Sequence, residues 1–484
     1  MAGGVLASKP RTRATLPAFA TELAGRSKKP VSNLAWQRPF PGYSALVPHM
    51  NSADLSSDLN RRTFFKGTSV ASLMALMGGV EISAQEAKPD GTLPPPKVDP
   101  NYKEKVPGPP VKIGIIGLGT QGRDILANLG KLPNGPVVAI CDSYKSSIKR
   151  ASETAPNAKT TENYKEVLDN SDVQAVIIAT PTHLHKEIVL AAIQAGKHVY
   201  LEAPMAHTID DARVIAKAAQ ASSKIFQVGL QNRENPQHHH VFKFFRTGAC
   251  GKTAAARAQF NKKNSWRRAS PNPDRERALN WRLYKESSLG LIGEIGMHHV
   301  DTTAWYLNTL PLSVTGFGGI LQWQDDRETP DTIQALYEFP NGVRMTFNST
   351  LANSFEGEHQ VFFGSDAAVL IRDNRAWMFK EVDAPLLGWE VYARKDDFLT
   401  DSGIALVANA TKILAQGKKP AEVASESDQP IRYALERFIE HINDKTQPEA
   451  NWQAGFTSAV IAIKSNEAIL SGSKIQFDPS WFQV

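Results

Sequence analysis

Residues 111–142 constrain the fold of this chain more than any other stretch. A short apolar run, Val111-Lys112-Ile113-Gly114-Ile115-Ile116, leads into Gly117-Leu118-Gly119-Thr120-Gln121-Gly122. A helix-like stretch follows, and then Val137-Val138-Ala139-Ile140-Cys141 ends at Asp142. Strand, glycine turn, helix, strand and acid, in that order, form a dinucleotide-binding fingerprint with its context intact. Gly117 permits the tight turn, Gly119 lets the backbone approach a diphosphate, and Gly122 lets the helix pack close to the strand. The helix N-terminus, where Thr120 and Gln121 stand, offers free N–H groups and positive potential to phosphates. Asp142 lies twenty residues past Gly122, where a carboxylate can accept hydrogen bonds from a ribose diol. That carboxylate repels a 2′-phosphate, and Ser143-Tyr144 supply no arginine to accept one. NAD is therefore expected over NADP, with Lys145 the nearest cation against that reading.

The net charge of +6 belongs to the start of the chain. Residues 1–66 hold ten Lys and Arg against three Asp and Glu, which leaves 45 against 46 of the chain's 55 and 49. The remainder is close to neutral, so basicity gives no support for nucleic-acid binding. Asn60-Arg61-Arg62-Thr63-Phe64-Phe65-Lys66 resembles a twin-arginine export motif, followed by a mild apolar run from Ser69 to Val80 and small residues around Ile82-Ser83-Ala84. The apolar run is too short to span a bilayer, so no membrane span is expected in the mature form. The signal, at about 58–87, begins late, and translation from Met50 would explain residues 1–49. A periplasmic or exported location is expected. Cys141 and Cys250 are the chain's two cysteines, and Cys141 sits at a strand end beside the nucleotide, which argues against a structural disulfide.

Three segments follow from the pattern. Residues 1–110 comprise an extension, the signal and a proline-rich linker. Residues 111–229 alternate strands (111–116, 137–141, 175–179, 198–201, 225–228) with helical stretches such as 186–195 and 210–221. That alternation is the mark of a doubly wound parallel sheet of the nucleotide-binding type. In residues 230–484, strand pairs are predicted at 333–350, joined at Pro340-Asn341-Gly342, and at 359–372, with helices at 430–443 and 452–470. The fold class is thus α/β for the first domain, and the antiparallel pairs after it suggest an open sheet.

Four segments, GLGTQG at 117–122, ATPTHLHKEI at 179–188, AGKHVYLEAP at 195–204 and GEIGMHHVD at 293–301, resemble the glucose–fructose oxidoreductase / inositol dehydrogenase / MocA (Gfo/Idh/MocA) family. The resemblance covers roughly residues 111–480. It implies a C-terminal α+β domain on an open, mostly antiparallel sheet, a substrate site between the nicotinamide and that sheet, and a homo-oligomer, dimer or tetramer, built through it. Thr180, Pro181 and His185 fall on the loop that touches the nicotinamide side of the cofactor, and Glu202 on a residue that contacts the nicotinamide riboside. His298 falls on the family's catalytic histidine. The family's usual Glu-Lys-Pro reads Glu202-Ala203-Pro204 here, so the lysine that polarises a substrate hydroxyl is missing. Arg233, Trp281 and Arg282 match positions near substrate; a tryptophan with an arginine suits a sugar, the ring stacking on C–H faces while the guanidinium binds hydroxyls.

From spacing alone, Glu294 and His298 stand four apart and would share a helix face, the carboxylate orienting an imidazole as general base. His298 and His299 point to different faces, so no metal site is expected. The basic stretch 257–282 reads as a solvated loop or as a feature selecting an anionic sugar. These residues together predict an exported NAD-dependent oxidoreductase transferring hydride to or from a sugar or polyol. The alternatives are an NAD-retaining lyase or glycosidase working through a transient keto-sugar, and a non-catalytic sugar-binding protein.

Overall fold

The computed structural model describes residues 106–387, 390, 395–398, 401–408 and 429–484. The signal at 58–87 and most of the linker lie outside the described residues. Six short apolar runs form the first sheet: β1 (Ile113–Ile116), β2 (Val137–Cys141), β3 (Lys159–Thr161), β4 (Ala175–Ile178), β5 (His198–Leu201) and β6 (Phe226–Val228). Their order is β3-β2-β1-β4-β5-β6 and every pairing is parallel. Helices cover both faces, so β1 and β4 read as unbroken hydrophobic runs, and all eight of their residues are buried. Strand order reverses between β1 and β4, and a doubly wound sheet opens its ligand crevice at such a switch point. The β1 end carries Gly117 and the β4 end carries Thr180.

The second sheet contains β7 (Thr253–Asn261), β8 (Ser313–Gly319), β9 (Thr332–Glu338), β10 (Arg344–Thr350), β11 (Glu358–Gly364), β12 (Ala367–Arg372), β13 (Arg375–Lys380), β14 (Lys395–Phe398), β15 (Asp401–Leu406) and β16 (Ile475–Gln476). The order is β14-β15-β13-β12-β11-β7-β10-β9-β8-β16. Neighbours run antiparallel except β7 and β10. Alternation in β9 follows from its sequence: Ile333, Ala335 and Tyr337 are buried while Leu336 is exposed. The buried face packs under Met297–Leu307 and Trp452–Ser471.

The chain returns to the first sheet at its end. In Pro430–Asp444, Leu435, Phe438 and Ile439 share a core with Ile113, Ile115, Leu129 and Tyr200, and Gln227 Nε2 donates to Ala434 O at 2.9 Å. Each of those apolar side chains contributes about 1.5–3 kcal/mol by burial. The sequence reading placed this helix in the second domain; its packing puts it on the first. Trp452–Ser471 serves both lobes, with Phe456 and Val460 against Met205 and Val228, and Ile461 and Ile469 under the second sheet.

Candidate active site

The turn after β1 shows why its glycines stand where they do. Gly117 has φ +96°, and a Cβ there would meet Ala179 O at 2.6 Å. At Gly122 a Cβ would lie 1.9 Å from Gly117 O, so helix Thr120–Leu129 could not approach the strand with any larger residue. Gly119 is different: nothing lies within 4 Å of its Cβ position, and that space is the cleft. No side chain caps the helix that begins there, so its first N–H groups are free for an anion. Asp142 Oδ2 accepts from Leu118 N–H and Oδ1 from Tyr144 N–H, both at 2.8 Å. The carboxylate thereby pins the end of β2 to the glycine turn, with lone pairs remaining for a diol.

A cleft of about 970 Å³ opens from this turn, at the upper end of the range for small-molecule sites. Gly117, Gly119, Thr120, Gln121, Asp142, Thr180, Pro181, His185, Glu202, Trp281, Arg282, Glu294 and His298 all line it. Thr180, which lines the cleft, has its Oγ1 buried with no hydrogen-bond partner, an unmet polar group. The open Gly119 cradle, the uncapped helix and the Asp142 carboxylate fit a dinucleotide.

His185 is 1% exposed, with Nε2 3.0 Å from Thr180 O and Nδ1 3.1 Å from Pro204 O. Burial drops its pKa to about 4, so the ring is neutral, donates through one nitrogen only, and is packed between the carbonyls of the Thr180 and Ala203–Pro204 loops. The Ala203–Pro204 peptide is cis. Gln121 Nε2 donates to Glu202 Oε1 at 3.2 Å.

Burial pushes the Glu202 carboxyl up to about 7 against the opposing effects of Gln121, the Ala203 N–H and Arg282. A folded-state value above the unfolded one means the folded protein holds its proton more tightly. The stabilisation is complete below the ordinary glutamate value and is lost as pH rises through about 7. Urea midpoints of Glu202→Gln should therefore lose less between pH 5 and pH 8 than those of the parent; parallel profiles would show that Glu202 is ionised throughout.

Arg282 stands at the other wall. Its Nε donates to Glu294 Oε2 at 2.7 Å, and its Cζ lies 4.3 Å over the Trp281 ring. Ser288 Oγ donates to Glu294 Oε1 at 3.3 Å. His298 has no side-chain hydrogen bond among the described residues and faces the cleft. Burial first, and then His299, hold its pKa below the usual histidine value, against Asp301 and Glu358. The ring is thus neutral at pH 7 and can accept a proton.

Two comparisons with known sequences decide the family. Residues 111–230 match the model described as "Oxidoreductase family, NAD-binding Rossmann fold" and residues 238–370 match the GFO/IDH/MocA C-terminal domain, together just over half the chain. The chain belongs to the Gfo/Idh/MocA family. Members similar to it include scyllo-inositol 2-dehydrogenase (NADP(+)) of Bacillus subtilis, 23% identical over 54% of this chain and 68% of that protein. Levoglucosan dehydrogenase of Pseudarthrobacter phenanthrenivorans is 32% identical over 40% of this chain and half of that protein. Among solved structures, a levoglucosan dehydrogenase complex with NADH superposes with a TM-score of 0.62 at 20% identity, covering 76% of this chain and 99% of the other. As in the family at large, the first lobe is an NAD-binding Rossmann domain and the protein is an NAD(P)-dependent oxidoreductase acting on CH–OH groups.

Within that family frame, two sequence expectations need correction. Glu294 does not orient His298. Residues Ile292–Gly296 form a π-helical turn ahead of Met297–Leu307, and the wider turn removes the four-residue alignment that a regular helix would give. The Glu294 carboxylate is committed to Arg282 instead. Arg233 does not line the cleft. Its Nε and Nη2 donate to Asp301 Oδ2 and Oδ1 at 2.8 and 2.9 Å, and Asp301 also accepts from Ser458 Oγ. His299 turns into the second core beside Gln360, away from His298. The sequence reading missed His183, Gln231, Arg268 and Arg275, which also line the cleft. For the two arginines the signal was present in the basic stretch 257–282, but nothing local says which face of that segment meets the nucleotide.

Proposed function

We propose that this protein is an exported dehydrogenase that oxidises a ring hydroxyl of a sugar or polyol, with NAD rather than NADP. The observation that carries the reading is the placement of a neutral, unpaired His298 and a cationic Arg282 on the second-domain wall of the cleft that begins at the glycine turn. Bound NAD supplies a hydride acceptor. The chain's own residues do the rest: His298 takes the hydroxyl proton at a ring nitrogen, and Arg282, fixed in position by Trp281 and Glu294, binds substrate oxygens. Ala203 contributes neither charge nor proton, so proton acceptance falls to His298 alone among the positions matched to the family. The printed activities of the relatives, on inositols and an anhydrosugar, support this substrate class. The Arg61-Arg62 motif supports export after folding, and exposed Phe317, Leu336 and Phe363 on the outer sheet face support assembly with a second copy.

One preparation tests these points together. Protein purified from the exported fraction of its native cells should release NAD on denaturation, scatter light as a species heavier than 53.0 kDa, and reduce NAD when offered inositols or anhydrosugars. Protein confined to the cytoplasm removes the export reading. No reduction with any polyol removes the dehydrogenase reading.

A further inference from the structure

A segment of the second domain crosses the mouth of the first. After β7 the chain runs through Lys262 to Arg282, and Arg268, Ala269, Ser270, Pro271 and Arg275 line the same cleft as Gly119. Local sequence fixes this strap in place. The Asn280 side chain, 2% exposed, accepts from Arg268 N–H at 2.7 Å and donates to Arg268 O at 3.0 Å, a two-point clamp on that backbone. Arg267 pairs with Glu276 and Asp325, and Arg327 Nη2 donates to Ser265 O. A strap so fastened presents Arg268 at a set position.

The charge balance along the strap is uneven. Arg267, Arg277, Arg282 and Arg327 each have a carboxylate partner. Arg268 has none among the described residues; its guanidinium donates to the Thr120 hydroxyl, on the first residue of the dinucleotide helix. Partial desolvation, and then the charges of Arg282, Arg123 and Arg150, hold that guanidinium below the usual arginine range. Arg268, Arg123 and Arg150, without carboxylate partners among the described residues, thus form a cluster of cations in the cleft on which the helix N-terminus opens, where the nearby carboxylates are engaged elsewhere: Glu294 with Arg282, Asp142 with the Leu118 and Tyr144 N–H groups and Glu202 with Gln121. Such a cluster is unfavourable until a multivalent anion enters, and a guanidinium fork matches phosphate oxygens in pairs. At the other end of the strap Arg275 lies 3.0 Å over the Tyr144 ring, next to Asp142.

We infer that Arg268 is a diphosphate-binding residue, so that the dinucleotide is held between the two lobes rather than on the Rossmann lobe alone. The inference rests on the nucleotide-binding reading above and adds to it a contact from the second domain. In titration calorimetry of the full chain, first freed of retained NAD by unfolding and refolding, with NAD, ADP and adenosine, Arg268→Gln should weaken NAD and ADP by about ten- to a hundredfold. Adenosine, which has no phosphate, should bind unchanged. The salt dependence of ADP binding should flatten, since one cation facing the phosphates is gone. Arg268→Lys should fall between the two, because it keeps the charge and loses the fork. Arg277→Gln, on the exposed side of the same strap, should bind all three ligands as the parent does.

Equal ADP affinity in Arg268→Gln and the parent overturns the inference, as does a matching loss for adenosine, which would mark Arg268 as merely structural. A parent protein that binds none of the three overturns the nucleotide reading instead, so the two failures are distinguishable.

Discussion

His298→Ala is expected to lower turnover by about a hundredfold or more, the usual scale for losing a positioned proton acceptor. Its ring faces the cleft without a hydrogen-bond partner among the described residues, and burial keeps it neutral at pH 7. Truncation leaves no buried partner behind, so folding stability and NAD affinity should stay near those of the parent. The separation of effects is the test: kcat falls while nucleotide titrations overlay. A variant that turns over at the parental rate would remove His298 from the reaction, and one that loses NAD binding as well would make it a structural residue. The pH profile offers a second view. Because the group acts in its neutral form, the parent's rate should fall on the acidic side, and the alanine variant should lose that limb.

The largest stability effect is expected at Arg233, which does not line the cleft. Its guanidinium meets Asp301 through two hydrogen bonds, with Asp301 only 4% exposed and Arg233 lying 5.6 Å over the Trp305 ring. Removing one member of a buried ion pair leaves an uncompensated charge, which costs about 3–5 kcal/mol. Arg233→Ala should therefore lower the unfolding free energy by that amount and move the urea midpoint down accordingly, and Arg233→Met with Asp301→Leu should recover much of it. If the single variant unfolds with the parent, the pair contributes nothing and Asp301 is neutralised by other means. Ser458, which also donates to Asp301 from the helix Trp452–Ser471, is the group to examine next.

These two residues show where local sequence stops being informative. The strands of the first sheet were legible because burial on both faces forces continuous apolar runs, and the Gly117–Asp142 unit was legible because its spacing is dictated by a turn that admits no Cβ. The strand pairs at 332–350 and 358–372 were legible through alternation and a turn at Asn341, which has φ 60°. Arg233 was misread because its partner lies 68 positions away and nothing nearby signals an ion pair. Glu294 was misread because the four-residue rule assumes a regular helix, and the chain has a π turn there instead. His185 looked like a site residue and lines the cleft, yet its ring is occupied by backbone carbonyls on both sides. The strap arginines were visible as charge and invisible as geometry.

The helix Pro430–Asp444 has a consequence for how the molecule comes into being. The hydrophobic floor beneath β1 and β5 is completed by Leu435, Phe438 and Ile439, which lie more than two hundred positions after Tyr200. Ile113 and Tyr200, made some two hundred positions or more earlier, must wait uncovered through all of that synthesis. The coenzyme lobe thus cannot close its core until most of the second lobe has been made, although it precedes that lobe in the chain, and a nascent half-chain presents an oily surface that chaperones would have to shield.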